Sequence, residues 1–98
     1  MLVQKTDQYQ QWIDGLKDRA GRARVLMRVD RLIHGNPGLH RNFPEGLSEL
    51  KVDVGPGYRV YYALRGQTLL LLLAGGDKAS QQVDIAKAVE LNRNFLKD

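Results

Sequence analysis

Between Leu47 and Asp84 the chain carries a pattern that restricts its fold more than any other feature. Two alternating runs, Leu47–Val54 and Tyr58–Leu64, flank a Gly55-Pro56-Gly57 turn. Alternation interrupted by a short glycine-containing loop reads as a β-hairpin. Successive side chains on a strand point to opposite faces. Leu50, Val52 and Val54 therefore share one face of the first strand, and Glu49, Lys51 and Asp53 the other. On the second strand Tyr58, Val60 and Tyr62 lie together, with Arg59 and Tyr61 opposite. Antiparallel pairing in the matching register gathers Glu49, Lys51, Asp53, Arg59 and Tyr61 on one side. Polar residues on the outer face of a hairpin are most often simply solvated, and the pattern alone favours that reading.

The 98 residues suit one domain, residues 1–98, with a single core. No cysteine occurs, which removes disulfides and thiolate chemistry and fits a reducing compartment. The N-terminal MLVQKTDQ lacks the apolar core of a signal peptide. The apolar run Leu69–Ala74 is too short to cross a bilayer. A soluble, cytoplasmic domain without membrane association is the expectation. Fifteen Lys and Arg against eleven Asp and Glu give a net charge of +4, which favours an acidic partner, either nucleic acid or protein.

Along the chain, Leu2–Lys5 has the alternation of an edge strand. Thr6 or Asp7 can cap a helix whose Tyr9, Trp12, Ile13 and Leu16 fall on one face. Asp18 can cap a second helix, Arg19 to His34, with Val25, Val29, Leu32 and Ile33 as its apolar stripe. Six basic residues lie between Lys17 and Arg31 and form a rim able to meet phosphates or an acidic surface, although such faces are mostly just solvated. Gly35-Asn36-Pro37-Gly38 ends the helix, and His34 reads as a cation at its C-terminus. The following loop, Leu39–Gly46, holds His40 and Arg41 as candidate substrate contacts. No second His or Cys stands near His40 to complete a metal site.

Past the hairpin, Thr68–Ala74 reads as a third strand. Its unbroken leucines call for a central position covered on both faces. Gly75-Gly76-Asp77-Lys78 breaks it, and Asp77 or Ser80 can cap a last helix from Ala79 to Leu96. There Ile85, Ala88, Val89 and Leu96 form the apolar face, flanked by Leu91 and Phe95. The order is β-α-α-β-β-β-α, an α+β fold. A mostly antiparallel sheet of about four strands is expected to carry helices on one side and leave a concave, partly open polar face on the other.

The run Leu47-Ser48-Glu49-Leu50-Lys51-Val52-Asp53, followed by GPGYRVYY and LLLLLAGGDKASQQ, resembles the RelE/ParE superfamily of type II toxin–antitoxin toxins. The similarity is greatest to its HigB-like branch of addiction-module killer proteins and extends from Thr6 to about Leu91. It implies a RelE/ParE-like toxin domain, monomeric when free. Its partner would be a cognate helix-turn-helix antitoxin, and its targets mRNA and the ribosome. The superfamily includes ribosome-dependent mRNA endonucleases and gyrase poisons, and some copies are inactive.

Such endonucleases use no metal and no cofactor. The RNA 2′-OH attacks the adjacent phosphate, so the protein must remove one proton, supply another, and stabilise charge. The resemblance gives Arg59 the scissile phosphate, held by its planar fork. It gives Lys51 a role as phosphate ligand or base, and Lys78 that of acid or charge stabiliser. Glu49 is the alternative base. Neighbouring cations would hold its pKa down, which favours a role orienting Lys51 or Arg59. Tyr61 and Gln81 complete the substrate contacts. The sequence lacks the aromatic hydroxyl that RelE carries on its last helix, with Gln81-Gln82-Val83-Asp84 standing in that stretch.

Overall fold

The computed structural model describes the backbone of residues 1–97 and the side chains of residues 1–95. Strand β1 (Leu2–Lys5) leads into helices α1 (Asp7–Gly15) and α2 (Arg19–Ile33). A short strand β2 (His40–Asn42) and a 3-10 turn (Pro44–Gly46) follow. Strands β3 (Leu47–Val52), β4 (Tyr58–Arg65) and β5 (Leu69–Asp77) and helix α3 (Gln81–Lys97) complete the chain. The helix starts are fixed by side-chain caps, which satisfy amide groups that have no partner within the helix. The Thr6 hydroxyl accepts from the Tyr9 amide at 3.1 Å, and Asp18 accepts from the Gly21 amide at 3.0 Å.

The strands form one sheet in the order β1-β5-β4-β3-β2. β1 runs parallel to β5 and all other neighbours are antiparallel. The leucines of β5 serve two cores. Leu70 and Leu72 pack with Tyr9, Ile13, Val25 and Val29 of α1 and α2. Leu71 and Leu73 pack with Leu47, Ala63 and Ala88 on the other side. Each fully buried leucine contributes roughly 1.5–3 kcal/mol relative to an exposed one, which accounts for an unbroken apolar run in a strand covered twice.

Two expectations are corrected. The sheet has five strands, not about four, because His40–Asn42 pairs with Ser48–Leu50 as an edge strand where a loop was expected. Helices also cover both faces. The stripe of Ile85, Ala88 and Val89 on α3 needs apolar area, and Leu47, Ala63, Leu71 and Leu73 offer it on the same face as Glu49 and Tyr61. The anticipated open polar face is therefore roofed by α3. The Leu96 side chain lies outside the described residues. Asn92, which is buried, locks the helix down. Its Nδ2 donates to the Glu45 carbonyl at 3.0 Å, and its own backbone carbonyl accepts from Arg65 at 3.3 Å. No described helix is long and apolar enough to cross a membrane.

Tyrosine burial makes stability sensitive to alkali. Burial pushes Tyr9 from 10.0 up to about 12. Tyr58 rises to about 12, chiefly because its hydroxyl donates to Asp18 at 2.7 Å. A folded-state pKa above the unfolded value means the fold favours the protonated phenol. That stabilisation is whole below the unfolded pKa near 10.0 and is lost as pH rises through about 12. Tyr9 alone accounts for on the order of 2–3 kcal/mol, at roughly 1.4 kcal/mol per pKa unit. Urea unfolding followed by far-ultraviolet circular dichroism should show a midpoint that is flat near pH ~9 and falls steeply towards pH ~12. A midpoint unchanged across that window would contradict these phenol environments.

Candidate functional site

The sheet register brings the polar residues of the hairpin together at the end of the sheet where α3 begins. Lys51 sits directly opposite Arg59, Glu49 opposite Tyr61, and Arg41 of β2 opposite Glu49. Facing residues in adjacent strands share a side of the sheet. All five side chains therefore lie on the α3 face, together with Asp53.

Arg59 is 6% exposed. Its Nη1 donates to Asp53 Oδ1 at 3.0 Å and to the Tyr58 carbonyl at 2.9 Å, while its buried Nε has no partner. The guanidinium is thus held at one corner by Nη1, with Nε enclosed. Lys78 follows β5 and is exposed. A Cβ placed on Gly57 would lie 3.5 Å from Lys78 Cβ and 3.6 Å from Arg59 Nη1, so Lys78 and Arg59 flank this glycine from two sides. Gly57 has φ +79, a conformation that glycine adopts without strain. Lys51, half-buried, completes a cluster of three cations around the hairpin turn.

Behind this cluster the site is closed. Glu49 and Tyr61 are both 0% exposed. Glu49 Oε2 accepts from Gln81 Nε2 of α3 at 3.0 Å. Its Oε1 lies 3.5 Å from Arg41 Nη2 and makes no hydrogen bond. The buried Tyr61 hydroxyl faces the same carboxylate without a well-formed hydrogen bond to it. Burial, and then the negative charge of Glu49, push that hydroxyl well above the usual phenol range, against a lowering pull from Arg59. Arg41 rests over the Phe43 ring, 4.6 Å from its centroid.

Seven of the eight nominated residues thus meet on one face: Lys51, Arg59 and Lys78 at the open end, with Glu49, Tyr61, Gln81 and Arg41 behind or beside them. His40 is not among them. It is opposite Leu50, on the α1–α2 side of the sheet, and its Nδ1 lies 2.7 Å from the Gly38 carbonyl. Glu49 does not hold Lys51 or Arg59 as expected, because its carboxylate is taken by Gln81 and Arg41. Arg59 does not face freely outward, because it is buried and its guanidinium is tied to Asp53 and the Tyr58 carbonyl of the hairpin. The residue that orients Arg59 is Asp53, which sequence reasoning put on the right face without a role. Its position two residues beyond Lys51 was the available signal. Asp77 is structural: its Oδ1 accepts from the Ser80 amide at 3.1 Å, and its own amide donates to Ser80 Oγ at 3.3 Å. Among the described residues no group of three or more His, Asp or Glu gathers in a way that could hold a metal ion.

This fold and this site define a small α+β protein on a five-stranded mixed sheet, with a cationic cluster at one sheet end backed by a buried carboxylate and phenol. Over 86 residues the chain is 37% identical to an uncharacterized protein of Haemophilus influenzae, a match that covers 88% of this chain and 87% of that one. The chain belongs to the same family as that protein. Comparison with models of known protein families gives no match.

Proposed function

We propose that this chain is the toxin of a bacterial type II toxin–antitoxin module, of the RelE/ParE superfamily and its HigB-like branch. Its reaction would be metal-independent cleavage of ribosome-bound mRNA, silenced by a cognate helix-turn-helix antitoxin. The observation that carries the reading is the grouping of Lys51, Arg59 and Lys78 around Gly57 at the open end of the sheet. Three cations gathered in this way suit a phosphate whose negative charge grows as a bond to it forms.

In the reaction, the RNA 2′-oxygen forms a bond to the adjacent phosphorus as the bond to the 5′-oxygen breaks. The 2′-OH proton passes to a base and a second proton reaches the leaving oxygen. Arg59 binds the phosphate. Lys51, which makes no ion pair among the described residues, is better placed as base than the roofed Glu49. Lys78, exposed beside Arg59, supplies the proton or the stabilising charge. Glu49 acts through Arg41 and Gln81. The burial of Glu49 and Tyr61 favours a second reading, a copy that binds its antitoxin without cleaving RNA.

The test is induction of the protein in a bacterium lacking the antitoxin, with primer extension on an abundant translated mRNA. New 5′ ends within the reading frame support the endonuclease, and Lys78→Ala should then reduce their formation by about 10²-fold. Arrest with intact mRNA and relaxed plasmid DNA would instead point to gyrase. Normal growth would leave the non-cleaving copy.

A further inference from the structure

Among the described residues strand β2 is the outermost of the sheet, with β3 as its one sheet neighbour. The Lys51 amide donates to the Leu39 carbonyl at 3.0 Å, and the Phe43 amide donates to the Leu47 carbonyl at 2.8 Å. In an antiparallel ladder, residues alternate between bonding inward and bonding outward. Leu39, Arg41 and Phe43 are thus the inward set, and His40 and Asn42 turn their N–H and C=O groups away from the sheet. All three residues of β2 are exposed. An open edge of this kind is a template for another extended chain.

The two faces of this edge differ. The His40 and Asn42 side chains, with Pro37, Tyr62 and Leu64, line a cavity of about 150 Å³ on the α2 side. That is roughly the size that accepts a benzene-sized apolar group. Leu64 and Leu39 stand exposed nearby. On the other face the Arg41 guanidinium, paired on its inner side with buried Glu49 at 3.5 Å, is half-exposed and can meet a second carboxylate from outside. A strand added outside β2 would set the residue opposite Arg41 on the cationic face and the residues on either side of it on the cavity face.

We propose that β2 receives an extended segment of another protein, with an acidic residue opposite Arg41 flanked by apolar residues, one of which enters the cavity. The net charge of +4 points to the same acidic partner chemistry. A second copy of this chain fits less well, because two β2 edges paired across a two-fold axis would bring Arg41 up to its own counterpart, and like charges placed opposite are destabilising. The inference is independent of whether the chain cleaves RNA.

The probe is an end-blocked synthetic octapeptide of alternating valine and glutamate, titrated into the isotope-labelled full chain and followed by amide chemical shifts. Saturable shifts at His40, Asn42 and Leu64 are expected. Binding should weaken by about tenfold or more when lysine replaces glutamate in the peptide. It should weaken comparably when alternate peptide nitrogens are methylated so that the strand cannot pair. Arg41→Gln should level the glutamate and lysine peptides. The proposal is overturned by an absence of saturable shifts at about 1 mM peptide, by shifts centred on β1 or the α2 rim, or by equal binding of the two charge types to the unaltered chain. It is equally overturned if the same amides shift with protein concentration alone, which would give the edge to a second copy.

Discussion

Gly75→Ala is expected to destabilise the protein by about 3 kcal/mol, the upper end of the usual range for an overfilled core. A Cβ at this position would fall on ring atoms Cε3, Cζ3 and Cδ2 of Trp12. The indole cannot move aside easily, since Tyr9 packs at 6.1 Å and Tyr58 edge-on at 6.3 Å between ring centroids. Displacing it would open the packing between α1 and β5. The change should appear in urea unfolding as a lower midpoint at constant slope. Gly15→Ala is the control. Nothing lies within 4 Å of a Cβ there, and its φ is not positive, so it should leave stability within about 1 kcal/mol of the parent. Equal stability of the two variants would show that Trp12 does not rest on Gly75.

The same residue marks the limit of what the sequence could tell. Gly75-Gly76 reads as a break, yet β5 runs through both to Asp77. The glycines are there for room: Trp12 covers one, and Asp84 of α3 sits over the other. Small residues chosen for close approach look the same in a sequence as small residues chosen for a turn. A register shift between Tyr61 and Tyr62 was equally hidden. Leu73 and Ala74 both join the α3 core, so the two-residue period fails at that point. A row of leucines carries no alternation by which to see it.

What was legible was local. The faces of Glu49, Lys51, Arg59 and Tyr61 followed from the hairpin period, and the Thr6 and Asp18 caps followed from residue type. The side of the sheet on which α3 lands did not. An apolar stripe shows that a helix must bury one face, but Leu47, Ala63, Leu71 and Leu73 decide against what, and they come from three strands. This one unknown separates a solvated polar face from a roofed one. It accounts for why Glu49 and Tyr61 were expected at the surface. β2 was missed for a related reason, since His40-Arg41-Asn42 is exposed throughout and shows no apolar period.

On the proposed endonuclease reading, Arg59→Lys should lower the rate of mRNA cleavage by about 10²–10³-fold while the protein stays folded, even though the charge is kept. The guanidinium divides its work: Nη1 is committed to Asp53 and the Tyr58 carbonyl and Nε is enclosed, so Nη2 is the donor that would meet a phosphate oxygen. A lysine ammonium is a single point. It can sit against Asp53 or reach the substrate, and a buried carboxylate-facing geometry draws it to the first. Purified variant and parent would be compared under single-turnover conditions on ribosome-bound mRNA, with binding measured separately and folding checked by circular dichroism. Loss confined to the cleavage step supports a fork that is engaged as charge builds on the phosphate. A rate within about threefold of the parent would mean that a point charge suffices. The bidentate geometry assigned to Arg59 would then give way to charge alone, shared between position 59 and the neighbouring Lys51 and Lys78.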